Sequence, residues 1–468
     1  MPELEEARST RPQITGKQAL QVAIAGLGTS IVPLDTAVNI AFPDITGSFA
    51  LPIEAIQWVV ICYVLTYSSL MLAFGRVGDI FGHGRVFRIG LLWSVAAHLL
   101  CAAAPSYGWL LFCRFLQGVG ASLIVSCAPA LITGFFPEDK RTRAVGIFTM
   151  MYAVGSAVGP LLGGALVQYW GWPAVFWFRA PIAFMAFLFL RSDPVRSRKS
   201  GMREPLDVIG AFLLALGIST LLLVLNQLQH PGRYVLLGIG LLATAVASLF
   251  AFVQWEQRVP QPIINLDFFR TRGFAAINFA SVLIYLTSFS VLLFGPYYLV
   301  RVAGLTVPVA GAALAASFVG SIIASPLAGS LIARLSPGGV ATLGGLLGGI
   351  GLVLIGSWDA DASLPLIALV GALMLQGFGV GLFQVAYMDV VMRTLPQRHR
   401  GVAGSIAMLS RSLGVVTGAT LLTLAFHAIE GFSQDGAFLS GLRATFWLAG
   451  IVSGLAALLA VPAIFARR

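Results

Sequence analysis

The fold is decided by two similar stretches, LQGVGASLIVSCAPALITGFFPEDKRTRAVGIFTMMYAVGSAVG (116–159) and LQGFGVGLFQVAYMDVVMRTLPQRHRGVAGSIAMLSRSLGVVTG (375–418). They lie 259 residues apart and align without gaps. The identical pairs include Gln117 and Gln376, Gly118 and Gly377, Arg141 and Arg400, and Gly159 and Gly418. Each stretch has a basic, proline-containing segment between two apolar runs. The repeat therefore predicts two related bundles within one chain.

The composition places these bundles in a membrane. The 468 residues are 58% apolar and 10% charged, whereas soluble domains have about 45–50% apolar and about 25% charged residues. The apolar runs are continuous and long, which favours helices over the weak alternation of a barrel. At roughly 20 residues per span, fourteen spans fit the length. We therefore predict an all-α polytopic membrane protein with six, two and six helices.

This arrangement gives the predicted domains. They are a cytoplasmic tail (1–16), an N-terminal six-helix bundle (17–190), a basic loop (191–205), two additional helices (206–254), a linker (255–272) and a C-terminal six-helix bundle (273–465). A long amphiphilic hairpin is an alternative for the additional pair. Three alternatives remain for its role: the pair makes a dimer contact, it closes a lateral opening, or it has no specific function.

The net charge of +10 marks orientation. If the N-terminus is inside, 23 of the 29 Lys and Arg residues lie on that side, as the positive-inside rule requires. Both termini are thus predicted to be cytoplasmic, in a cell or inner membrane, and a nucleic-acid partner is not expected. The loop 191–205 could also bind anionic lipid. The four cysteines lie in apolar runs without metal-ligand spacing, so neither a disulfide framework nor a metal or other cofactor is expected.

An aspartate inside the first predicted span carries the main functional signal, since a charge in a span is costly and indicates function. Asp35 is the one acidic residue deep within a span. Arg114 has a similar depth in its own span, about seven residues or roughly 10 Å from the outer end. A carboxylate beside a guanidinium stays ionised and takes a proton when the guanidinium moves away. The pair predicts proton coupling, and a static salt bridge is the alternative.

A glycine-rich segment in the fifth span predicts close helix packing and a hinge. It contains Gly155, Gly159, Pro160, Gly163 and Gly164. Small residues at a spacing of four let backbones approach, and the proline opens a gap in the hydrogen-bond ladder. The repeat has Ala419 at the position of Pro160, so the hinge is predicted in the N-terminal half.

A second glycine-rich segment, GRVGDIFGHGR (75–85), predicts a tight cytoplasmic turn. Asp79 is its sole acid and is expected to pair with a base or to cap a helix. We interpret the segment as a latch between the bundles that is made and broken as the halves rock. The proposed latch residues are Gly75, Asp79, Gly82 and Arg85.

These motifs resemble those of the major facilitator superfamily, and specifically its fourteen-span drug:proton antiporter group. The segment 75–85 resembles motif A, Arg114 to Ala121 resembles motif B, the fifth-span glycines resemble motif C, and Leu34 to Pro43 resembles the first-span motif. The resemblance implies alternating access, a part for Arg114 in proton transfer and an antiporter signature in motif C.

The departures from this pattern bear on the substrate. Arg179 stands where the group commonly has Asn, and Ile80 and Gly84 replace basic residues of motif A, which predicts a weaker latch. Exporters of dications tend to carry extra buried acids, whereas this chain has one deep acid against Arg114, Arg179 and Arg411. We therefore expect a neutral, zwitterionic, monocationic or weakly acidic amphiphile. Alternatively, Arg179 and Arg411 pair with carbonyls or face loops.

Ten polar or aromatic residues are predicted to line the substrate cavity. They are Asn39, Trp58, Tyr63, Gln117, Arg179, Asn278, Tyr285, Gln376, Gln384 and Arg411. Ordinary interhelical hydrogen bonding explains most of them equally well. His98 and His427 lie near the outer ends of spans and are not expected to titrate in the cycle.

The prediction is a secondary active exporter of small amphiphilic compounds or drugs, driven by inward proton flow. Its expected partners are the substrate, protons and membrane lipids, and the chain is expected to be a monomer. A flippase or exporter of a lipid-like anionic metabolite is the first alternative. A non-transporting sensor is disfavoured because no soluble signalling domain is evident. An enzyme would need a converging set of acids, histidines or a nucleophile that the chain lacks.

Overall fold

The structure, a computed structural model, describes residues 16–134, 141–190, 207–227, 235–259, 269–270, 272–358, 365–394, 400–430 and 437–461. In the N-terminal half its helices are α1 (Gly16–Ser30), α2 (Ala37–Ile40), α3 (Phe42–Ser48), α4 (Gln57–Phe81), α5 (His83–Ala102), α6 (Tyr107–Gly134), α7 (Arg141–Trp170), α8 (Ala174–Trp177) and α9 (Arg179–Phe189). Two further helices follow, α10 (Val208–Gln227) and α11 (Val235–Glu256). The C-terminal half has α12 (Arg272–Tyr297), α13 (Val307–Leu335), α14 (Pro337–Gly356), α15 (Leu366–Thr394), α16 (Arg400–Glu430) and α17 (Ala437–Leu459).

Most of these helices are long apolar rods. Ten helical segments in the described residues are long and apolar enough to cross a membrane, and three shorter apolar helices accompany them. No strand occurs within the described ranges. The chain is thus an all-α polytopic membrane protein, as predicted, while the count of fourteen spans stays a prediction.

Two of the predicted spans are interrupted, and each interruption carries a charged residue. The first helix, α1, ends at Ser30, and Pro33 opens a 3-10 turn that contains Asp35. The sixth span consists of α8 and α9, and Arg179 is the first residue of α9. Proline lacks the N–H that would continue the ladder, which accounts for the break at Pro33. Both side chains therefore leave the backbone at irregular points of their spans.

The predicted tight turn is present but is confined to Gly82, because the rest of the segment 75–85 is helical. Helix α4 continues to Phe81, and only Gly82 has a positive φ, of 95°. Gly75 and Gly78 lie inside α4, and a Cβ on Gly78 would approach the Cys127 sulfur to 2.8 Å. Close packing against α6 therefore explains Gly78. Arg85 is exposed, and the Asp79 side chain lies outside the described part, so the latch stays a prediction.

The additional pair lies at the seam between the halves. Helix α10 packs against α11 and also against α4 and α16. Leu65 of α4, Ile218 of α10 and Leu413 of α16 line one small cavity there. The outer helix α11 leaves large apolar side chains exposed, with Leu236 at 85%. Of the three roles left open for this pair, none is tested by these contacts, and the role stays a prediction.

Glycine seams hold the C-terminal bundle together, because α14 and α15 approach to backbone distance. A Cβ on Gly379 would come within 2.5 Å of the Gly344 carbonyl oxygen and closer still to the Gly348 nitrogen. Gly371 lies on the same helix with nothing within 4 Å of a built Cβ. The seam thus depends on particular glycines and not on glycine content in general.

This seam gives a stability prediction. Gly379→Val should destabilise the protein by about 1–3 kcal/mol, the usual cost of overpacking, because α14 and α15 must separate. Gly371→Val is the matched control and should leave thermal unfolding of the detergent-solubilised protein nearly unchanged. Equal unfolding temperatures for the two variants would contradict the close approach.

Candidate functional site: a carboxylate between two arginines

The site is centred on Asp35, which receives two guanidinium groups. Arg114, on α6, donates from Nη1 to Oδ1 at 2.7 Å and from Nη2 to Oδ2 at 2.8 Å. Arg179, at the start of α9, donates from Nη1 to the same Oδ1 at 2.6 Å. A forked pair of this kind is among the strongest hydrogen-bonded contacts that side chains make. The predicted pairing of Asp35 with Arg114 is therefore present, and a second arginine joins it.

Both arginines are fully enclosed and held at a second point. The exposed fractions of the side chains are 1% for Arg114, 0% for Arg179 and 13% for Asp35. The Nε atoms donate to backbone carbonyls, Arg114 to Val59 at 2.7 Å and Arg179 to Val175 at 3.1 Å. The cluster thus carries one negative and two positive charges. In the described part of the chain, no group accepts a hydrogen bond from Arg179 Nη2.

Gln117 and His98 extend the cluster. Arg114 Nη1 donates to Gln117 Oε1 at 2.8 Å, which fixes the orientation of the amide because a guanidinium cannot accept. Gln117 Nε2 then donates to Asp35 Oδ1 at 3.0 Å and lies 3.3 Å from His98 Nε2. His98 Nδ1 lies 2.6 Å from the Ser94 carbonyl and must donate to it. In this geometry His98 is a neutral ring whose Nε2 accepts from Gln117.

Aromatic faces cover the guanidinium groups. The Tyr63 ring lies 4.4 Å from the Arg114 guanidinium carbon. Phe176 of α8 lies 5.8 Å from that of Arg114 and 5.6 Å from that of Arg179. A cation–π contact of this kind stabilises a desolvated cation by about 2 kcal/mol. Tyr63 thus lies beside the pair of Asp35 and Arg114, where it also contacts Tyr67 at a ring-centroid distance of 5.4 Å.

A second cationic group, Arg411 of α16, lies between the halves. Its guanidinium carbon is 5.6 Å from the Tyr152 ring of α7 and 5.4 Å from the Tyr285 ring of α12. The neighbouring Ser412 meets Tyr67 of α4, with 3.2 Å between the hydroxyl oxygens. The predicted residues Arg411 and Tyr285 are thus brought together, and two tyrosines of the N-terminal half join them.

The remaining predicted cavity residues are dispersed. Asn278 accepts from Tyr387 at 2.8 Å and from Ser410 at 3.3 Å, and Gln376 accepts from Ser317 at 2.8 Å. These are hydrogen bonds within the C-terminal bundle. Asn39 is buried, Trp58 is half-buried and Gln384 is exposed. The structure does not bring these five residues into one site.

The fifth-span glycines join the helices on both sides of α7. Built Cβ atoms on Gly155 and Gly163 would reach Pro33 at 2.8 Å and the Ala37 carbonyl at 2.9 Å, and one on Gly159 would meet the Thr36 hydroxyl. On the opposite side, a Cβ on Gly164 would reach the Val307 carbonyl at 2.7 Å. The segment therefore packs the Asp35 turn against α7 and α7 against α13.

Pro160 takes part in the contact between the two halves. A Cβ built on Gly311 of α13 would meet the Pro160 carbonyl oxygen. Nearby, the Tyr297 and Thr46 hydroxyl oxygens are 3.5 Å apart, and Arg301 Nη2 is 3.4 Å from the Pro43 carbonyl. The halves thus meet at one end of the bundles. We name it the outer end, because the predicted topology places it outside the cell.

Sequence reasoning missed three members of these clusters. His98 was set aside because it lies near the end of its span, yet it hydrogen-bonds the glutamine beside Asp35. Phe176 and Tyr152 carry no chemical signal in a sequence this rich in aromatic residues. Arg179 was predicted to line the cavity, and the structure places it on Asp35. An embedded histidine is itself a functional signal, so His98 was open to prediction.

The fold and this site define a membrane transporter. Residues 19–261 and 277–468 match the family model described as Major Facilitator Superfamily, and the chain belongs to that family. It is a transporter and not an enzyme.

Named relatives include export proteins. The Multidrug resistance protein Stp of Mycobacterium tuberculosis (strain CDC 1551 / Oshkosh) is 30% identical over 86% of this chain and 75% of its own length. The Tetracenomycin C resistance and export protein of Streptomyces glaucescens is 29% identical over 85% and 73%. The Riboflavin transporter RibZ of Clostridioides difficile (strain 630) is 26% identical over 93% and 95%.

A solved structure shares the fold alone. An auto-inhibited POT family peptide transporter aligns with a TM-score of 0.69 at 17% identity, covering 96% of this chain and 97% of that one.

The second arginine gives a prediction about pH dependence. Arg179→Asn leaves the forked pair of Asp35 with Arg114 but removes one positive charge, which favours the protonated carboxyl. We expect transport to continue with a pH profile displaced to higher pH. Transport rates across a pH series in proteoliposomes measure this. Arg334→Asn, at an exposed position of α13, is the control, and coincident profiles for both variants would contradict the role of Arg179.

Proposed function

We propose that this transporter is a proton-coupled exporter of small amphiphilic compounds that works by alternating access. The observation that supports the proposal most is Asp35, which is 13% exposed and has both oxygens paired with arginine. A carboxylate held between the first and fourth spans can exchange its arginine partners for a proton only if those spans move apart. Protonation is thereby tied to the direction in which the cavity opens.

The proposed cycle follows from this geometry. Ionised Asp35 accompanies the state that accepts substrate from the cytoplasm or the inner leaflet. The halves then rock about the midplane and separate at the outer end, where Gly164, Gly311 and Pro160 now meet. Asp35 takes a proton from outside as the substrate leaves. The neutral carboxyl permits the return, and the proton is released inside.

The finer organisation is part of the proposal. We propose fourteen spans, both termini in the cytoplasm, a location in the plasma or inner membrane and a monomeric transport unit. The excess of Lys and Arg in the predicted inner loops supports the orientation. Ten long apolar segments and three shorter ones, together with α7, lie where fourteen spans were predicted.

Export, as opposed to uptake, is supported by relatives. The proteins of Mycobacterium tuberculosis and Streptomyces glaucescens are named for drug resistance, and the latter also for export. The paired arginines disfavour a dication, because Asp35 already has two cationic partners. We therefore propose substrates with at most one positive charge.

A flippase or exporter of an anionic, lipid-like metabolite is the second candidate. The observation in its favour is Arg411, a half-buried cation between two tyrosines at the contact of the halves. A transport assay with acyl-labelled lipids that differ only in the headgroup distinguishes this function from export of a free amphiphile.

The test is transport by the purified full chain in liposomes. With the membrane potential clamped by potassium and valinomycin, an acidic lumen should drive a panel of permanently charged and neutral amphiphiles into the lumen. We expect at least one compound to accumulate only when the pH gradient is present. If the pH gradient changes the accumulation of none of the transported compounds, proton coupling is overturned.

A further inference from the structure

We propose that Arg411 is the anchor for a single anionic group on the transported amphiphile. The proposal rests on the proposed function and names the substrate class of the same transporter. It starts from the surroundings of the guanidinium. Within the described ranges, no carboxylate, carbonyl or hydroxyl group accepts a hydrogen bond from Arg411, and the Tyr152 and Tyr285 rings lie beside its guanidinium.

An arginine in such a place is costly without an anion. A guanidinium has five N–H donors in a planar fork that matches a carboxylate, sulfonate or phosphate group. Cation–π contacts stabilise the charge but leave the donors at the rim of the group without acceptors. Arg411 is half-buried, so the side chain is not completely enclosed by the protein. A bound anion would satisfy the donors that the protein leaves unused.

The protein's own deep carboxylate is already committed. Asp35 receives Arg114 and Arg179, which leaves the Asp35 cluster with an excess positive charge. Together with Arg411, the central region carries three positive charges against one negative charge. An anionic group is attracted to this region, whereas a cationic group meets like charge.

The position of Arg411 links anion binding to the movement of the halves. Tyr152 belongs to the N-terminal half, while Tyr285 and Arg411 belong to the C-terminal half. The adjacent contact of Tyr67 with Ser412 also joins the two halves. An anion held by Arg411 and flanked by both rings touches both halves, so its affinity changes as they separate. This differential contact is what alternating access requires of a substrate.

Two permanently charged probes test the inference without carrying protons themselves. Pyrene-1-sulfonate and (1-pyrenylmethyl)trimethylammonium share the ring system and differ in the sign of the charge. Both are offered to proteoliposomes with an acidic lumen and a clamped membrane potential. We expect the wild type to accumulate the sulfonate faster than the ammonium probe.

Arg411→Gln should lower the ratio of sulfonate to ammonium transport by about tenfold or more, which corresponds to the loss of one charge-assisted hydrogen bond. Arg411→Lys keeps the positive charge but loses the forked guanidinium, so its transport ratio should lie between those of the wild type and Arg411→Gln. Arg334→Gln, at an exposed site, should retain the wild-type ratio. Thermal unfolding of each variant shows whether it is folded. If Arg411→Gln does not fold, the ratio measured for Arg411→Lys still tests the proposal.

The outcomes separate this inference from the proposed function. A wild type that transports both probes equally, or an unchanged ratio in both Arg411 variants, overturns anion anchoring while proton-driven transport stands. If neither probe accumulates faster with the gradient, anion anchoring fails, and the panel of neutral and charged amphiphiles described above decides the proposed function separately. Arg411-dependent transfer of acyl-labelled phosphatidylglycerol but not phosphatidylcholine assigns the anionic group to a lipid, whereas transfer of neither lipid assigns it to a free amphiphile.

Discussion

Asp35→Asn is expected to abolish proton-driven transport. The amide still accepts a hydrogen bond from Arg114 but cannot change charge, so the event that ties the proton to the opening of the cavity is lost. Exchange of labelled for unlabelled substrate across the membrane needs no net proton movement and should persist. The measurement compares gradient-driven accumulation with exchange in the same liposomes, and we expect loss of the first alone.

The stability of this variant needs its own control, because the substitution leaves two buried guanidiniums without an anion. Removing one partner of a buried pair costs about 3–5 kcal/mol. The double variant Asp35→Asn with Arg179→Asn removes one unpaired charge and should recover part of that loss without recovering proton-driven transport. Asp389→Asn removes a carboxylate that pairs with the exposed Arg393 and should behave as wild type. Restored proton-driven transport in the double variant would contradict the role of Asp35.

Gly311→Ala is expected to hold the outer end open and reduce transport to near background. A methyl group at this position meets the Pro160 carbonyl oxygen and lies 3.2 Å from the Gly164 Cα. Backbone atoms cannot give way as a flexible side chain does, so the halves must separate. Thr46, now buried at the same end and 3.5 Å from the Tyr297 hydroxyl, should become accessible.

Labelling measures this opening. In a cysteine-free background, Thr46→Cys should react slowly with an impermeant maleimide in the parent and several times faster with Gly311→Ala present. Gly329→Ala is the matched control on the same helix, because nothing lies within 4 Å of its built Cβ. It should alter neither labelling nor transport. If both alanine variants label at the parent rate, the glycine contact does not hold the halves together.

The pairing at Asp35 was predictable in part. Depth along the chain placed Asp35 and Arg114 at the same level, and their meeting needed only a bundle in which the first and fourth spans are neighbours. The second arginine was not predictable in this way. Arg179 reaches Asp35 because the sixth span restarts at Arg179 itself and the first span breaks at Pro33. Such breaks change the direction of a side chain relative to a continuous helix.

The central tyrosines show a second limit. The sequence predicted both Arg411 and Tyr285 in the substrate cavity, but Tyr152, which lies beside Arg411, comes from the other half. Contacts between halves depend on the relative position of two bundles, which hydrophobic periodicity does not encode. The repeat predicted the bundles themselves, because it is visible in the sequence over both motif-bearing stretches.

The turn at 75–85 is shorter than predicted for a simple physical reason. The glycines were interpreted as freedom to turn, yet Gly75 and Gly78 lie inside a continuous helix, and Gly78 serves close packing there. Gly78 has no room for a side chain beside Cys127, and only Gly82 adopts a backbone conformation that other residues rarely take. Glycine supports both uses, and only the neighbouring helices decide between them.

The most direct test of the central claim records protons and substrate together. Wild-type and Asp35→Asn proteoliposomes contain a lumenal pH dye and receive a transported amphiphile outside, with no initial pH gradient and a clamped membrane potential. In the wild type, substrate entry should remove protons and raise the lumenal pH in proportion to the substrate taken up, whereas the lumenal pH of Asp35→Asn liposomes should stay constant. Wild-type uptake without a pH change, or an equal pH rise in the variant, would contradict coupling through Asp35.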